Sequence, residues 1–138
     1  MIKIRSFQPA DTEAVILLWT ACGLVKPWND PHKDIERKLA IMPELFLVGE
    51  TEDGTLIGSA MGGYEGHRGW INYLAVAPDQ RRRGIAKTMM ASAEKRLRAL
   101  GCPKINLQVR RKNTAVINFY QAIGFGEDEV VSFGKRLR

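Results

Sequence analysis

The sequence predicts an α/β domain, a mixed and mostly antiparallel central sheet of six to seven strands with about four helices, in the order β-α-α-β-β-β-α-β-α-β-β. Three observations predict it. Two apolar runs joined by Thr51-Glu52-Asp53-Gly54-Thr55 carry the Asp-Gly hairpin signal, which makes neighbouring strands antiparallel. The succession of strand 70–76, helix 85–100 and strand 104–110 demands a right-handed crossover between parallel or nearly parallel strands. At 138 residues, with no low-complexity run, repeat or long linker, the chain fits one domain spanning residues 1–138.

The elements follow in order. Residues 1–7 alternate Ile2 and Ile4 with Lys3 and Arg5 and read as the opening strand. Pro9 and Asp11 start a helix that runs to about Cys22, with Val15, Leu18, Trp19 and Cys22 on one face and Gly23 closing it. Asp30 and Pro31 make a good N-cap and first helical residue for a second helix through Ile35, Leu39 and Met42, stopped by Pro43. Strands follow at 45–50 and 56–64. Gly62, Gly63, Gly66 and Gly69 then loosen the link to the central strand and leave Glu65, His67 and Arg68 on a hairpin tip. The helix at 85–100 shows Ala86, Met90, Ala93, Leu97 and Leu100 as its packing stripe, with Gly101 and Pro103 beyond its end. Asn113 caps a last helix bearing Val116, Ile117, Phe119, Tyr120 and Ile123, ended by Gly124, and residues 125–137 supply one or two final strands.

The chemistry gathers between residues 70 and 86. A strand stops at Val76, passes a small-residue turn at Ala77-Pro78-Asp79, and delivers the loop to a helix N-terminus through Gly84-Ile85-Ala86. Such an end aims unpaired backbone N–H groups and the positive end of the helix dipole at one spot, an anion site. Arg81, Arg82 and Arg83 add formal charge around it. Lys87-Thr88 echoes the ending of a nucleotide P-loop, but that loop needs glycines where this chain has Ala86 and Arg81, and the dinucleotide glycine triplet is absent as well.

Composition narrows the classes further. A formal charge of +6 suits a polyanionic cofactor as well as a nucleic acid, and the chain carries no nucleic-acid recognition motif. The longest apolar run, residues 14–22, is too short to span a bilayer, and the first residues carry no signal pattern, so a cytoplasmic location is expected without membrane attachment. Cys22 and Cys102 read as small buried hydrophobes; with His32 and His67 they make no metal-ligand spacing, and no metal is expected.

The stretch Val76, Pro78, Arg81, Gly84 and Ala86 resembles motif A of the Gcn5-related N-acetyltransferase (GNAT) superfamily, and Asn113, Phe119, Tyr120, Gly124 and Phe125 resemble its second block. Residues 26–31 and 34–38 are similar to the bacterial YpeA-like subgroup. The resemblance covers essentially the whole chain and implies acetyl-CoA as acetyl donor. Its pyrophosphate is expected on the backbone of Arg81, Arg82, Arg83, Gly84, Ile85 and Ala86, its pantetheine arm along Leu74, Ala75 and Val76, with Asn113 a further contact. Tyr120 is the implied acid for the leaving thiolate. Many members place a glutamate on the central strand, whereas residues 70–76 hold no carboxylate, leaving Glu65, His67 or Asp30 to act through a water, or no base at all if the acceptor is an α-amine. Trp28, Asp30 and His67 are candidate acceptor contacts; the plainer reading is a helix cap, a rim aromatic and a solvated hairpin tip. The acceptor is a primary amine of a small molecule or of a protein, the latter through a likeness of residues 107–125 to ribosomal-protein acetylases. A non-catalytic acyl-CoA-binding module of the same fold is the competing reading, and a homodimer stays open.

Overall fold

The computed structural model describes residues 2–137. Residues up to Gln108 form one compact unit and those from Val109 a second, smaller one. The larger unit contains β1 (Lys3–Ser6), α1 (Thr12–Ala21), α2 (Pro31–Leu39), β2 (Phe46–Glu50), β3 (Leu56–Tyr64), β4 (Gly69–Val76), α3 (Ile85–Ala99) and β5 (Ile105–Asn106). Its sheet runs in the order β1-β2-β3-β4-β5, antiparallel from β1 to β4 and parallel between β4 and β5.

β2 is buried along almost its whole length, because helices cover it from both sides. Phe7, Val15, Leu18, Trp19, Ile35, Phe46, Val48, Met61 and Ala75 form one core cluster, in which the Phe46 ring stacks on Phe7 at 4.4 Å. Ile85, Met89, Met90, Ala93 and Leu97 are the buried residues of α3. That helix lies so close to the sheet that a Cβ at Gly49 would come within 2.9 Å of Met89 Sδ. The buried stripe is thus rotated from the expected one: Leu100 is exposed, while Ile85 and Met89 are inside.

The sheet has five strands among the described residues, not the expected six to seven. The strand expected over 104–110 shortens to Ile105–Asn106, and residues 125–137 form no strand. Alternation alone does not make a strand: beyond Phe125 the apolar side chains of that tail stay exposed, Val131 at 77% and Phe133 at 93%. In the smaller unit α4 (Thr114–Ala122) is capped by the Asn113 side chain, which accepts from the Val116 N–H. Tyr120 is buried there, edge-on to Phe119 and Phe125, and Phe125 N–H closes the helix end on the Tyr120 carbonyl at 2.9 Å.

One partly buried ion network ties the sheet edge to the first helical turn. Arg5 grips Asp11 through two bonds of 2.8 and 3.0 Å and reaches Glu50 at 3.3 Å. Arg5, with the Gln8 N–H, holds the Asp11 carboxyl below its usual range. A lowered native pKa stabilises above the unfolded value near 4, and the gain is lost as pH falls through the native one. Asp11→Asn is therefore expected to cost about 1–2 kcal/mol in urea unfolding at pH 7, with the difference from the parent shrinking at pH 3.

Candidate active site

The loop after β4 is built to present backbone donors. Ala77 N–H still pairs with the Ile57 carbonyl at 2.8 Å, one 3-10 turn follows at Pro78–Gln80, and Arg81 is extended. Arg82 and Gly84 then take left-handed φ values of 65° and 75°, and α3 begins at Ile85. No side chain caps this helix. Its first N–H groups, from Gly84 to Lys87, consequently have no partner within the helix and point outward from its positive end. Arg81 Nε donates to the Val76 carbonyl at 3.3 Å and an Arg83 nitrogen to Gln80 Oε1 at 3.2 Å, which holds both side chains at the loop. Arg82, Arg83 and Gly84 are exposed, as an anion would require.

Next to the loop, the sheet opens. β5 pairs with β4 only at Gly69–Ile105 and Trp70–Asn106, so from Ile71 to Val76 no strand among the described residues pairs with β4 on that side. The ladder to β3 also slips: Ser59 faces Ala75 and Met61 faces Asn72, leaving Tyr73 and Leu74 together opposite Ala60. Since Ala77 N–H points to β3, strand alternation turns Val76 N–H towards the open side. Leu74, Ala75 and Val76 thus present an unpaired backbone edge that suits an extended, amide-bearing arm.

Tyr73, absent from the sequence-derived site, sits at the centre of the bulge with φ of 52°. An aromatic residue in this region costs about 1–2 kcal/mol. Its ring stacks on Trp19 at 3.8 Å; its hydroxyl donates to Asp34 Oδ2 at 2.6 Å and accepts from Asn29 Nδ2 at 2.5 Å. Burial, and then Asp34, push the phenol well above the ordinary tyrosine range. The fully buried Ser59 hydroxyl accepts from Trp19 Nε1 at 2.9 Å and donates to the Tyr73 carbonyl at 2.7 Å. The one signal for this in the sequence was Asp34, a carboxylate beside the buried Ile35 on a helix whose partner was unknown.

The remaining candidates have structural tasks. One Glu65 oxygen accepts both the His67 and Arg68 N–H groups at 2.5 Å, and these bonds lower its pKa. A carboxylate so used at an exposed turn is a weaker proton acceptor than a free one. His67 is exposed on the same turn. Asp30 caps α2 through the His32 and Lys33 N–H groups, the plainer of its two readings, and Trp28 is 51% exposed in the connector before it. Among the described residues no group of side chains is arranged to hold a metal, and no helix is long and apolar enough to cross a membrane.

A helix N-terminus with free N–H groups at the foot of a strand whose outer edge is unpaired suits a ligand with an anionic head and an extended arm. A family model described as Acetyltransferase (GNAT) family matches residues 13–125. An acetyltransferase of Yersinia pestis (strain Pestoides F) is 53% identical over 136 residues, 99% of this chain and 96% of the relative. Among solved structures, AAC(6')-Iy in complex with the bisubstrate analog CoA-S-monomethyl-acetylneamine superposes with a TM-score of 0.80 over 99% of both chains at 22% identity. The ribosomal-protein-S18-alanine N-acetyltransferase of Escherichia coli does so with 0.76 over 93% of this chain and 79% of its own, also at 22%. The chain belongs to the GNAT family of acetyltransferases.

Proposed function

We propose that residues 1–138 act as one N-acetyltransferase domain that passes the acetyl group directly to a primary amine, with donor and acceptor bound together. The observation that carries this is the open edge of β4 leading into the arginine-lined N-terminus of α3. When bound, acetyl-CoA supplies a thioester whose C–S bond breaks as the amine nitrogen bonds to the carbonyl carbon. The N–H groups from Arg81 to Ala86 hold the pyrophosphate, with the Arg81, Arg82 and Arg83 side chains beside it. Leu74, Ala75 and Val76 hold the pantetheine arm, Asn113 adds a contact, and an N–H at Leu74 or Ala75 faces the thioester oxygen.

Tyr120 gives its proton to the departing sulfur. Burial pushes this phenol up to about 12. Complete transfer to a thiolate of ordinary pKa would run uphill by about 5 kcal/mol, so the proton moves as the C–S bond breaks, not before. With Glu65 engaged in its turn and β4 without a carboxylate, the reading favours an acceptor already neutral in part at pH 7, such as an α-amine, whose proton is lost to water. The fold shared with the ribosomal-protein-S18-alanine enzyme supports a protein α-amine as one such acceptor. Trp28 and His67, both exposed, are our candidate contacts to it, with Asp30 adding negative charge. We place the enzyme in the cytoplasm, which suits the free thiols of Cys22 and Cys102.

The test is a thiol-release screen with acetyl-CoA over small amines, aminoglycosides and peptides with free N-termini. Acceptor-dependent release is expected, strongest for amines of low pKa; tight acetyl-CoA binding without release for any amine would end the transferase reading. With the best acceptor, log kcat should rise with pH to the amine's pKa and stay flat to about pH 10, because an acid with Tyr120's raised pKa is still protonated there.

A further inference from the structure

We propose that Tyr73 and Ser59 are positioning residues: together with Trp19, Asn29 and Asp34 they form a lock that aims the Leu74 N–H at the open edge of β4. The proposal rests on the reading above, in which the thioester oxygen lies at that edge.

A trans peptide is planar, with its C=O and N–H pointing in opposite directions. The plane between Tyr73 and Leu74 therefore has one orientation to fix. The Ser59 hydroxyl, on β3, fixes it by donating to the Tyr73 carbonyl at 2.7 Å, so the Leu74 N–H faces away from β3, where β4 has no neighbouring strand. Ser59 can hold only one such position, because its own oxygen accepts the Trp19 indole N–H at 2.9 Å. The Tyr73 ring lies 3.8 Å from that indole and nearly parallel to it, at 13°. The strained residue is thus clamped at its carbonyl and at its ring by the same pair.

The phenol adds a third clamp from a separate part of the chain. It donates to Asp34 on α2 and accepts from Asn29 in the connector, and Arg37 in turn grips Asp34 at 2.9 Å. The arrangement carries visible costs: an aromatic residue with φ of 52°, and Asn29 Oδ1 buried with no hydrogen-bond partner. Costs of this kind persist where a geometry is over-determined by its surroundings, and they mark functional positions. Tyr73 is also the residue at which β4 departs from the regular ladder, next to the amide assigned to the thioester oxygen. The lock makes the connector at 29–34 and the acyl edge one rigid piece, so a disturbance of Asn29 or Asp34 reaches the Leu74 N–H.

The test needs no acceptor. Acetyl-CoA labelled with carbon-13 at the thioester carbonyl is bound to the intact protein, and its carbonyl stretch is read by isotope-edited infrared difference. In the parent the band should fall below that of free acetyl-CoA, as donation from an N–H requires. Tyr73→Phe keeps the ring stack and loses both phenol bonds; Ser59→Ala frees the carbonyl. Each should return at least half of the band shift while the dissociation constant changes less than about threefold, and acceptor-free hydrolysis should drop about tenfold. Asp34→Asn, whose amide oxygen still accepts from the phenol, should keep the parent band, and Asp34→Ala should behave as Tyr73→Phe does. Folded Tyr73→Phe and Asp34→Ala with the parent band overturn the lock, even if Ser59→Ala cannot be made. An unshifted band in the bound parent would instead overturn the placement of the thioester.

Discussion

Changing Arg81 and Arg83 together to glutamate is expected to weaken acetyl-CoA binding about 100-fold or more by calorimetry, with little change in melting temperature. Both side chains are exposed, and each makes one bond within its own loop, to the Val76 carbonyl and to Gln80. Little of the fold depends on them. A charge-assisted bond to a phosphate contributes about 1.5 kcal/mol at the exposed end of its range, so losing two removes about 3 kcal/mol, and repulsion by the new carboxylates adds to it. The gap between variant and parent should narrow as salt is raised, because exposed charges are screened. Gly84→Ala separates backbone from charge. A Cβ there meets nothing of the protein within 4 Å, so stability falls only by the strain of φ at +75°. A loss of affinity greater than that strain means the ligand itself comes up against the backbone. Unchanged affinity in the arginine double variant would remove the cradle.

The parts of this molecule that could be read from the sequence are those whose physics is local. Asp30 before Pro31, Asn113 before α4 and Gly124 after it each satisfy or release a helix end within a few residues, and each was found where expected. β3 has the expected bounds because alternation, hairpin turn and burial agree over Leu56–Tyr64. The loop from Val76 to Ile85 was legible for a similar reason, since Pro78 ends the strand and Gly84 accepts the left-handed φ from which α3 starts. One reading failed because alternation is silent about partners: beyond Phe125 the tail has a strand's pattern without burial. Tyr73 could not be foreseen from its own stretch of chain. Its left-handed backbone is imposed by Ser59, Asp34 and Asn29, which lie 14, 39 and 44 residues away in the chain. Nothing in Asn72-Tyr73-Leu74 itself signals such a turn, as an Asn-Gly pair would have done.

Tyr120→Phe is expected to lower kcat about 100-fold, the usual scale of one positioned acid, while acetyl-CoA affinity stays within about twofold. The substitution is well suited to separate chemistry from packing. Tyr120 is buried against the rings of Phe119 and Phe125, at 5.1 and 5.5 Å, and phenylalanine keeps those edge-on contacts. Its backbone carbonyl, which accepts the Phe125 N–H, is untouched. A melting temperature close to the parent's therefore accompanies the slow rate if the hydroxyl is a proton donor. The leaving group gives an independent check. An acetyl thioester of an aromatic thiol departs as a stable anion and needs no proton, so the gap between parent and variant should shrink with such a donor. The gap should also hold across pH 6 to 10, since burial keeps the parent's phenol protonated over that interval. A wild-type rate in the variant would end the assignment. A rate that falls only in step with the melting temperature would return Tyr120 to the aromatic cluster in which it is packed.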